Sequence, residues 1–380
     1  MKRHYDIPHL PLPYDLETKS VLKQLNRANK SLAELKGVAA TIPNEQILIS
    51  TLTLQEAKDS SEVENIVTTQ DDLYKATMNI HQDFINAATK EVLNYREAIQ
   101  HGFALVRKNK ILRLNDICAI QERLEYNRAG FRKVPGTALK RSDGETIYIP
   151  PQDGNTIKDF MENLEFFIND ASVSDLDPLI KMAIIHHLFE SIRPFYDGNG
   201  RTGRIINVLF LVMNDLLDLP ILYLSRYITQ NKGEYYRLIQ AIRDKNTDNA
   251  AEWEEWILYM LKAVEQTSIE TIGMVKGISK LMGEYKAILR PMFDKRYRHE
   301  LINNLFFHPY TKIEFLEKDM MVGRQTASKY LERIVDAGLL QKMKLGRENY
   351  YVNTKLMNLF LNHTAHEGNA PTIESVTSVG

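Results

Sequence analysis

Ser191-Ile192-Arg193-Pro194-Phe195-Tyr196-Asp197-Gly198-Asn199-Gly200-Arg201-Thr202-Gly203-Arg204 decides how this chain is read. Ahead of it, Leu179, Met182, Ile185, His186, Phe189 and Ile192 recur at helical spacing, which predicts a buried helix. Behind it, the dense apolar run Ile205 to Met213 predicts a second helix buried on most sides. The glycines therefore sit in a tight connection between two core helices. Asn199 is of N-cap type for the second helix. Free N–H groups and the positive end of that helix would face the loop and favour an anion. Gly198 and Gly200 let the backbone approach phosphates closely. Asp197 is a hard oxygen ligand suited to Mg²⁺ bridging phosphates. Arg201 and Arg204 can hold β- and γ-phosphate oxygens through charge-assisted bonds. The plainer alternative is a glycine-rich helix–helix turn with solvated arginines.

The string resembles the motif of the Fic family, His-Pro-Phe-x-(Asp/Glu)-Gly-Asn-Gly-Arg-x-x-Arg, laid over Arg193 to Arg204. Every specified position matches except the first. The resemblance extends to Ser60-Ser61-Glu62-Val63-Glu64-Asn65-Ile66, Val134-Pro135-Gly136-Thr137, Ile147-Tyr148-Ile149-Pro150-Pro151 and Tyr235-Tyr236. It implies a mainly α fold: a Fic-type helical core, a small β-hairpin flap and a C-terminal winged helix-turn-helix. It implies transfer of AMP from ATP to a Ser, Thr or Tyr hydroxyl of a protein, the chain itself included. Carried over residue by residue, Asp197 would hold Mg²⁺. Gly198, Asn199, Gly200, Arg201, Thr202, Gly203 and Arg204 would line the phosphate site. Tyr235 and Tyr236 would lie near the adenine, although helix packing explains them equally well. Phe195 would anchor the loop in the core.

Arg193 stands where the family has its general base. Guanidinium has a pKa above about 12 and no acceptor lone pair, so it takes no proton. The expected result is an inactive or impaired transferase, since a positioned base contributes about 10²–10⁴ in rate. A deliberate inactivation and a natural loss both fit; the intact remainder of the motif favours a recent or deliberate change. His186 and His187, in the preceding helix, are expected to be core histidines rather than substitutes.

Ser60 to Asn65 resembles the family's inhibitory motif, (Ser/Thr)-x-x-x-Glu-(Gly/Asn). A carboxylate at Glu64 would pair with Arg204, take the guanidinium meant for the γ-phosphate and misplace the α-phosphate. Read locally, Asp59, Ser60 and Ser61 look like a helix start, with Ser61 and Glu64 as a capping box. The family precedent also leaves removal of AMP open.

Val134 to Thr137 and Ile147 to Ile149 bracket Lys140 to Glu145, and Asp143-Gly144 predicts a hairpin turn. The resemblance makes this a flap that adds its edge to a protein target; an ordinary surface hairpin is the alternative. From Arg298 the pattern changes. Helices are expected over His299 to Phe307, Lys312 to Lys318 and Gly323 to Gly338. Strands are expected over Leu339 to Met343 and Asn349 to Val352, with a turn at Gly346. Arg324, Gln325, Thr326, Ser328 and Lys329 would start a recognition helix. Basic residues outnumber acidic ones by three between Met321 and Tyr350, a modest patch for DNA or for a protein partner.

The 380 residues have room for two or three domains, with 44% hydrophobic and 26% charged side chains, as in ordinary soluble proteins. The expected segments are 1–107 (helical, with the inhibitory motif at 60–65), 108–290 (Fic core), 291–362 (winged helix) and 363–380 (a loose tail). A net charge of −1 gives no global pull toward nucleic acid or membrane. One cysteine, Cys118, excludes an intramolecular disulfide and fits the cytoplasm. No membrane span is expected, and a homo-oligomer is compatible. Three rival readings stand: a nucleotide-sensing pseudoenzyme acting through the winged helix, a transferase with another phosphate-linked donor, and a transcription regulator whose loop is only structural.

Overall fold

A computed structural model describes residues 5–77, 86–140, 144–245, 248–345 and 348–364. In chain order the elements begin with α1 Lys19–Ala39, α2 Glu45–Val63, α3 Gln70–Thr77, α4 Ala87–Asn109, α5 Leu114–Glu125, β1 Leu139–Lys140 and β2 Thr146–Tyr148. They continue with α6 Gly154–Asn169, α7 Pro178–Ile192, α8 Asn199–Met213, α9 Leu224–Gln230, α10 Lys232–Lys245 and α11 Ala250–Phe293. Last come α12 His299–Phe307, β3 Tyr310–Thr311, α13 Ile313–Met320, α14 Arg324–Asp336, β4 Gln341–Leu345, β5 Glu348–Val352 and α15 Thr354–Thr364. The mainly α expectation is met. The domain boundary expected near residue 290 falls inside α11. No described helix is long and apolar enough to cross a membrane.

Two compact units divide these elements. The first comprises residues 1–40, 48–68 and 85–271, and the second comprises 41–47, 69–84 and 272–380. In the first, α7 and α8 form the centre. All of Leu179 to Ile192 is buried, and so is Arg201 to Val212. Each fully buried Leu, Ile or Phe there contributes about 1.5–3 kcal/mol. Asp177 caps α7 by accepting from Leu179 N at 2.8 Å, and Pro178 supplies a preset first-turn φ. Trp256 Nε1 donates to Ala183 O at 2.8 Å and fixes α11 against α7. Gly102 lets α4 approach closely: a Cβ there would lie 2.5 Å from Leu209 Cδ1 and 3.0 Å from Ile120 Cδ1. Residues 5–18 form neither helix nor strand and bend at Leu10, Pro11, Pro13 and Tyr14. Leu10 is held at both backbone groups by Asn163, at 2.8 and 3.1 Å.

In the second unit, α12, α13 and α14 pack with a three-stranded antiparallel sheet of order β3-β5-β4. The element order is that expected of a winged helix-turn-helix, with β3 and α15 added. The first wing strand starts at Gln341, not Leu339. Gly338 has φ +70; its N–H bonds Val335 O at 2.8 Å, and Leu339 N bonds Ile334 O at 3.1 Å. Leu339 is therefore spent closing α14 in a Schellman cap. The expected turn at Gly346 and most of the tail from 363 lie outside the described residues. Tyr285 OH donates to Leu339 O at 2.6 Å, and Asn353 Nδ2 donates to Leu305 O at 3.1 Å. These bonds satisfy polar groups inside an apolar core.

Candidate active site

The last four carbonyls of a helix have no partner within it. At the end of α7 all four are met by side chains from elsewhere. Arg243 Nη2 donates to Glu190 O at 3.0 Å, and Tyr148 OH to Ser191 O at 2.8 Å. Arg132 Nη2 donates to Ile192 O at 3.2 Å, and its Nε to Arg193 O at 2.7 Å. Two cations thus sit at the negative end of the helix dipole. Arg193 itself is the C-cap, with φ +45, and its N–H bonds Phe189 O at 3.0 Å. Arg132 and Arg243 were missed in the sequence, because no local pattern marks an arginine that will reach a distant helix end.

The loop then turns through Phe195, which is fully buried as expected. Asn199 is not the N-cap. Gly198, at φ +71, takes that place, and Asn199 is the first residue of α8. The physical reason is that the Asn199 amide is used backward. Its Oδ1 accepts from Phe195 N and its Nδ2 donates to Phe195 O, both at 2.9 Å. The amide therefore locks the loop rather than capping the helix. Gly198 is required twice over: its φ is left-handed, and a Cβ would lie 2.2 Å from Glu125 Oε1. Asp197 is exposed, and its Oδ1 accepts from Gly198 N at 2.7 Å, which leaves Oδ2 available to a ligand. No group of three or more metal-ligating side chains occurs among the described residues. A single carboxylate fits Mg²⁺, an ion that keeps waters and takes most other ligands from phosphates.

Ser60 to Asn65 is a helix end, not a helix start, so the capping-box expectation is corrected. Asn65 N bonds Glu62 O and Ile66 N bonds Ser61 O, both at 3.0 Å, and Asn65 has φ +63. That is a Schellman motif with asparagine at its left-handed position. It ends α2 and leaves Glu64 at the carbonyl end, where a carboxylate needs cationic partners. It has them. Glu64 Oε1 accepts from Arg204 Nη2 at 3.0 Å, and Oε2 lies 3.0 Å from Arg201 Nε, a charge contact without hydrogen-bond alignment. Arg204 also donates from Nε to Ser60 Oγ at 2.8 Å and from Nη2 to Ser60 O at 2.9 Å. Arg201 bonds Glu91 through Nη1 and Glu125 through Nη2, both at 2.9 Å. The two guanidinium side chains are 3% and 2% exposed. Burial, with Asp197, Glu64 and Glu91 nearby, raises the Glu125 carboxyl to about 7 against the pull of Arg201.

A cavity of about 280 Å³ opens at this point, lined by Glu64, Glu190, Arg193, Asp197, Gly198, Asn199, Gly200, Arg204, Tyr235, Tyr236 and Arg243, among others. A methyl on Gly200 would lie 2.6 Å from Glu64 Oε1 and 3.1 Å from Glu190 Oε1, so two carboxylates face the glycine loop here. Arg193 Nη1 lies 3.6 Å from Glu190 Oε2. Arg201, Thr202 and Gly203 are not among the lining residues. Thr202 is buried, and Gly203 packs on Phe189 and His186. Tyr235 is buried with its OH 2.8 Å from His186 Nε2, whereas Tyr236 is half-exposed and set edge-on to it. His186 and His187 are core histidines. Burial and then Arg204 push His186 down to about 3; burial and then Arg243 push His187 well below its ordinary value.

The hairpin β1–β2 borders the cavity through Leu139. Val134, Pro135, Gly136 and Thr137 form the loop ahead of β1, where Gly136 N donates to Gln152 Oε1 at 2.7 Å and Gln152 Nε2 to Thr137 O at 3.0 Å. Ile147 is half-buried. Tyr148 is buried under the Arg243 guanidinium, 4.1 Å from its ring centroid, and is an anchor rather than an exposed edge. Asp143, at the expected turn, lies outside the described residues.

The chain is similar to known proteins. Residues 22–104 match the Fic/DOC family N-terminal model, 111–211 the Fic/DOC family, and 281–356 the C-terminal domain of protein adenylyltransferase SoFic-like. A probable protein adenylyltransferase of Aquifex aeolicus (strain VF5), aq_aa38, is 37% identical over 172 residues, which is 44% of this chain and 46% of that one. Protein adenylyltransferase fic-1 of Caenorhabditis elegans is 23% identical over 50% of this chain and 36% of its own length. The chain thus spans less than half the length of either relative. The crystal structure of a Fic family protein from Desulfovibrio desulfuricans G20 has the same fold, with a TM-score of 0.57 at 17% identity over 90% of this chain and 98% of that one. Three family matches in chain order, on a fold that carries the glycine loop between its two central helices, make this chain a member of the Fic family.

Proposed function

We propose that the cavity beside Gly198–Arg204 is the site of a protein adenylyltransferase. It would move AMP from ATP to a protein hydroxyl, with Glu64 holding it off. The observation that carries this reading is the convergence of Asp197, the α8 N-terminus and Arg204 on one cavity, with the Glu64 carboxylate already on Arg204. An anion that takes the Arg204 Nη2 donor must displace Glu64. The backbone of Gly198 to Gly200 would then cradle the phosphates, with Asn199 holding the loop in shape. Asp197 would hold Mg²⁺, which would offset phosphate charge there. Tyr236 offers an aromatic face to the adenine.

In transfer, the target hydroxyl oxygen bonds to the α-phosphorus and pyrophosphate leaves with the electrons of the broken P–O bond. The hydroxyl proton finds no acceptor on Arg193, so this chain is an impaired transferase, slowed by about 10²–10⁴. The pairing of Arg193 with Glu190 inside the cavity supports a second reading, a nucleotide-sensing pseudoenzyme that binds ATP and signals without transfer. In either case the hairpin would engage the protein target, and the exposed face of α14 would take DNA or a protein.

Intact mass spectrometry after incubation with Mg-ATP tests the choice. An AMP adduct on Arg193→His, larger with Glu64→Gly added, is the transferase result. ATP binding with no adduct on itself or on added protein is the pseudoenzyme result, and no ATP binding by any variant sinks both.

A further inference from the structure

Arg201 was expected to grip phosphates, yet it does not line the cavity. Its guanidinium is turned to three carboxylates from three elements. Glu64 follows α2, Glu91 lies in α4 and Glu125 ends α5. Glu91 and Glu125 accept from Nη1 and Nη2, and Glu64 lies in charge contact beside Nε. Swinging Arg201 out to a phosphate would break two charge-assisted bonds at 2.9 Å. Of the three, Glu64 is the one that spans both arginines. Its grip on Arg204 is one hydrogen bond, and its second oxygen rests on Arg201.

We propose that Glu91 and Glu125 belong to the inhibitory device: they position Arg201 as the second anchor of Glu64, so Arg201 serves the latch and not the phosphates. This rests on the reading that the cavity takes ATP and that Glu64 opposes it. Neither Glu91 nor Glu125 lines the cavity; Glu125 packs against the back of Gly198, and both act through Arg201, so they are positioning residues. Removing either carboxylate loosens Arg201, weakens the hold on Glu64 and frees Arg204.

The test uses the full chain with Arg193→His, with and without Glu64→Gly. Into each go Glu91→Gln, Glu125→Gln and both together. ATP Kd and AMP adduct formation are measured, with Tm as a check on folding. With Glu64 present, the double variant is expected to lower ATP Kd and raise adduct formation by about tenfold, the worth of one charged hydrogen bond. With Glu64→Gly, the same changes move both by less than about twofold. A loss of binding in both backgrounds, or an equal gain in both, overturns the proposal. Should the double variant fold poorly, Arg201→Lys keeps the charge, loses the fork and must show the same Glu64-dependent gain. A Glu64-dependent fall in Kd with no adduct anywhere supports the latch while removing the transferase reading. No ATP binding by any variant removes both.

Discussion

α8 and α14 start alike and end up serving opposite ends. Each follows a glycine N-cap, Gly198 and Gly323, and each carries cations in its opening turns, Arg201 and Arg204 against Arg324 and Lys329. A cation near a helix N-terminus opposes the dipole and needs an anion. In α8 the anions are supplied from within: Glu64, Glu91 and Glu125 converge on two buried guanidinium groups. In α14, residues 323–326 and Lys329 face solvent. The same pattern is thus a closed network in one place and an open surface in the other. Burial decides, because a charge in low dielectric is worth its partners and one in water is worth little.

The largest effect expected on the closed side concerns Arg193. On the transferase reading, adding Arg193→His to the Glu64→Gly chain should raise the rate of AMP transfer by about 10²–10⁴. Adduct formation followed over time measures it. Equal rates with and without Arg193→His would mean that the residue at this position takes no proton.

A second test strikes the α7 end. Arg132→Ala removes donors from Ile192 O and Arg193 O, and should cost about 3–5 kcal/mol by urea unfolding. Because those carbonyls shape the turn into the loop, ATP affinity should fall with it. A loss under about 1 kcal/mol would show the turn to be held by Pro194 and Phe195 alone.

Much of the region around α8 was legible. The apolar spacing around Leu179 and Ile205 pointed to both central helices, and the glycines between them to the tight loop that joins them. Glu64 and Arg204 meet as the resemblance implied. The errors share one cause: a local pattern was read without its distant partners. Ser61-x-x-Glu64 fits a capping box, but Asn65 at φ +63 makes the segment a helix end, and an asparagine there is itself a C′ signal. Asn199 looks like an N-cap until Phe195 occupies its amide. Nothing near Arg201 foretells Glu91 and Glu125, which stand 110 and 76 residues away. In the second unit the helices were legible from amphipathic spacing. The strand start was not, because Gly338 draws Leu339 into the cap of α14.

A third test asks whether burial alone sets the cost in α2. Glu56 is fully buried and accepts from Ser225 N at 3.2 Å, from Tyr95 OH at 3.2 Å and from Ser225 Oγ. Burial raises its carboxyl to about 8, against the hydrogen bonds from Ser225. The folded state therefore holds a proton that the unfolded chain releases above about 4.5. Stability from this group is complete below that pH and declines up to about pH 8, by about 1.4 kcal/mol per unit. Glu56→Gln should abolish that decline, so its advantage over the parent grows between pH 5 and pH 8. Parallel unfolding curves at both pH values would show Glu56 to be ionised in the fold and matched by its donors.

The smallest effect belongs to α14. Arg324→Ala with Lys329→Ala removes two exposed cations from a helix whose buried side is Ala327, Tyr330, Leu331 and Ile334. Stability should move by less than about 0.5 kcal/mol, since neither side chain is needed to fill the core. If the face takes duplex DNA, the same pair should weaken binding and flatten its salt dependence, as each lost phosphate contact lowers the slope by about one. Retention of a labelled duplex at two salt concentrations reads this directly. Unchanged retention would mean that these cations meet no phosphate, and a stability loss of several kcal/mol would mean that α14 depends on its charges as α8 does. The contrast between the two helices survives only if the pair alters what α14 binds and leaves its folding alone.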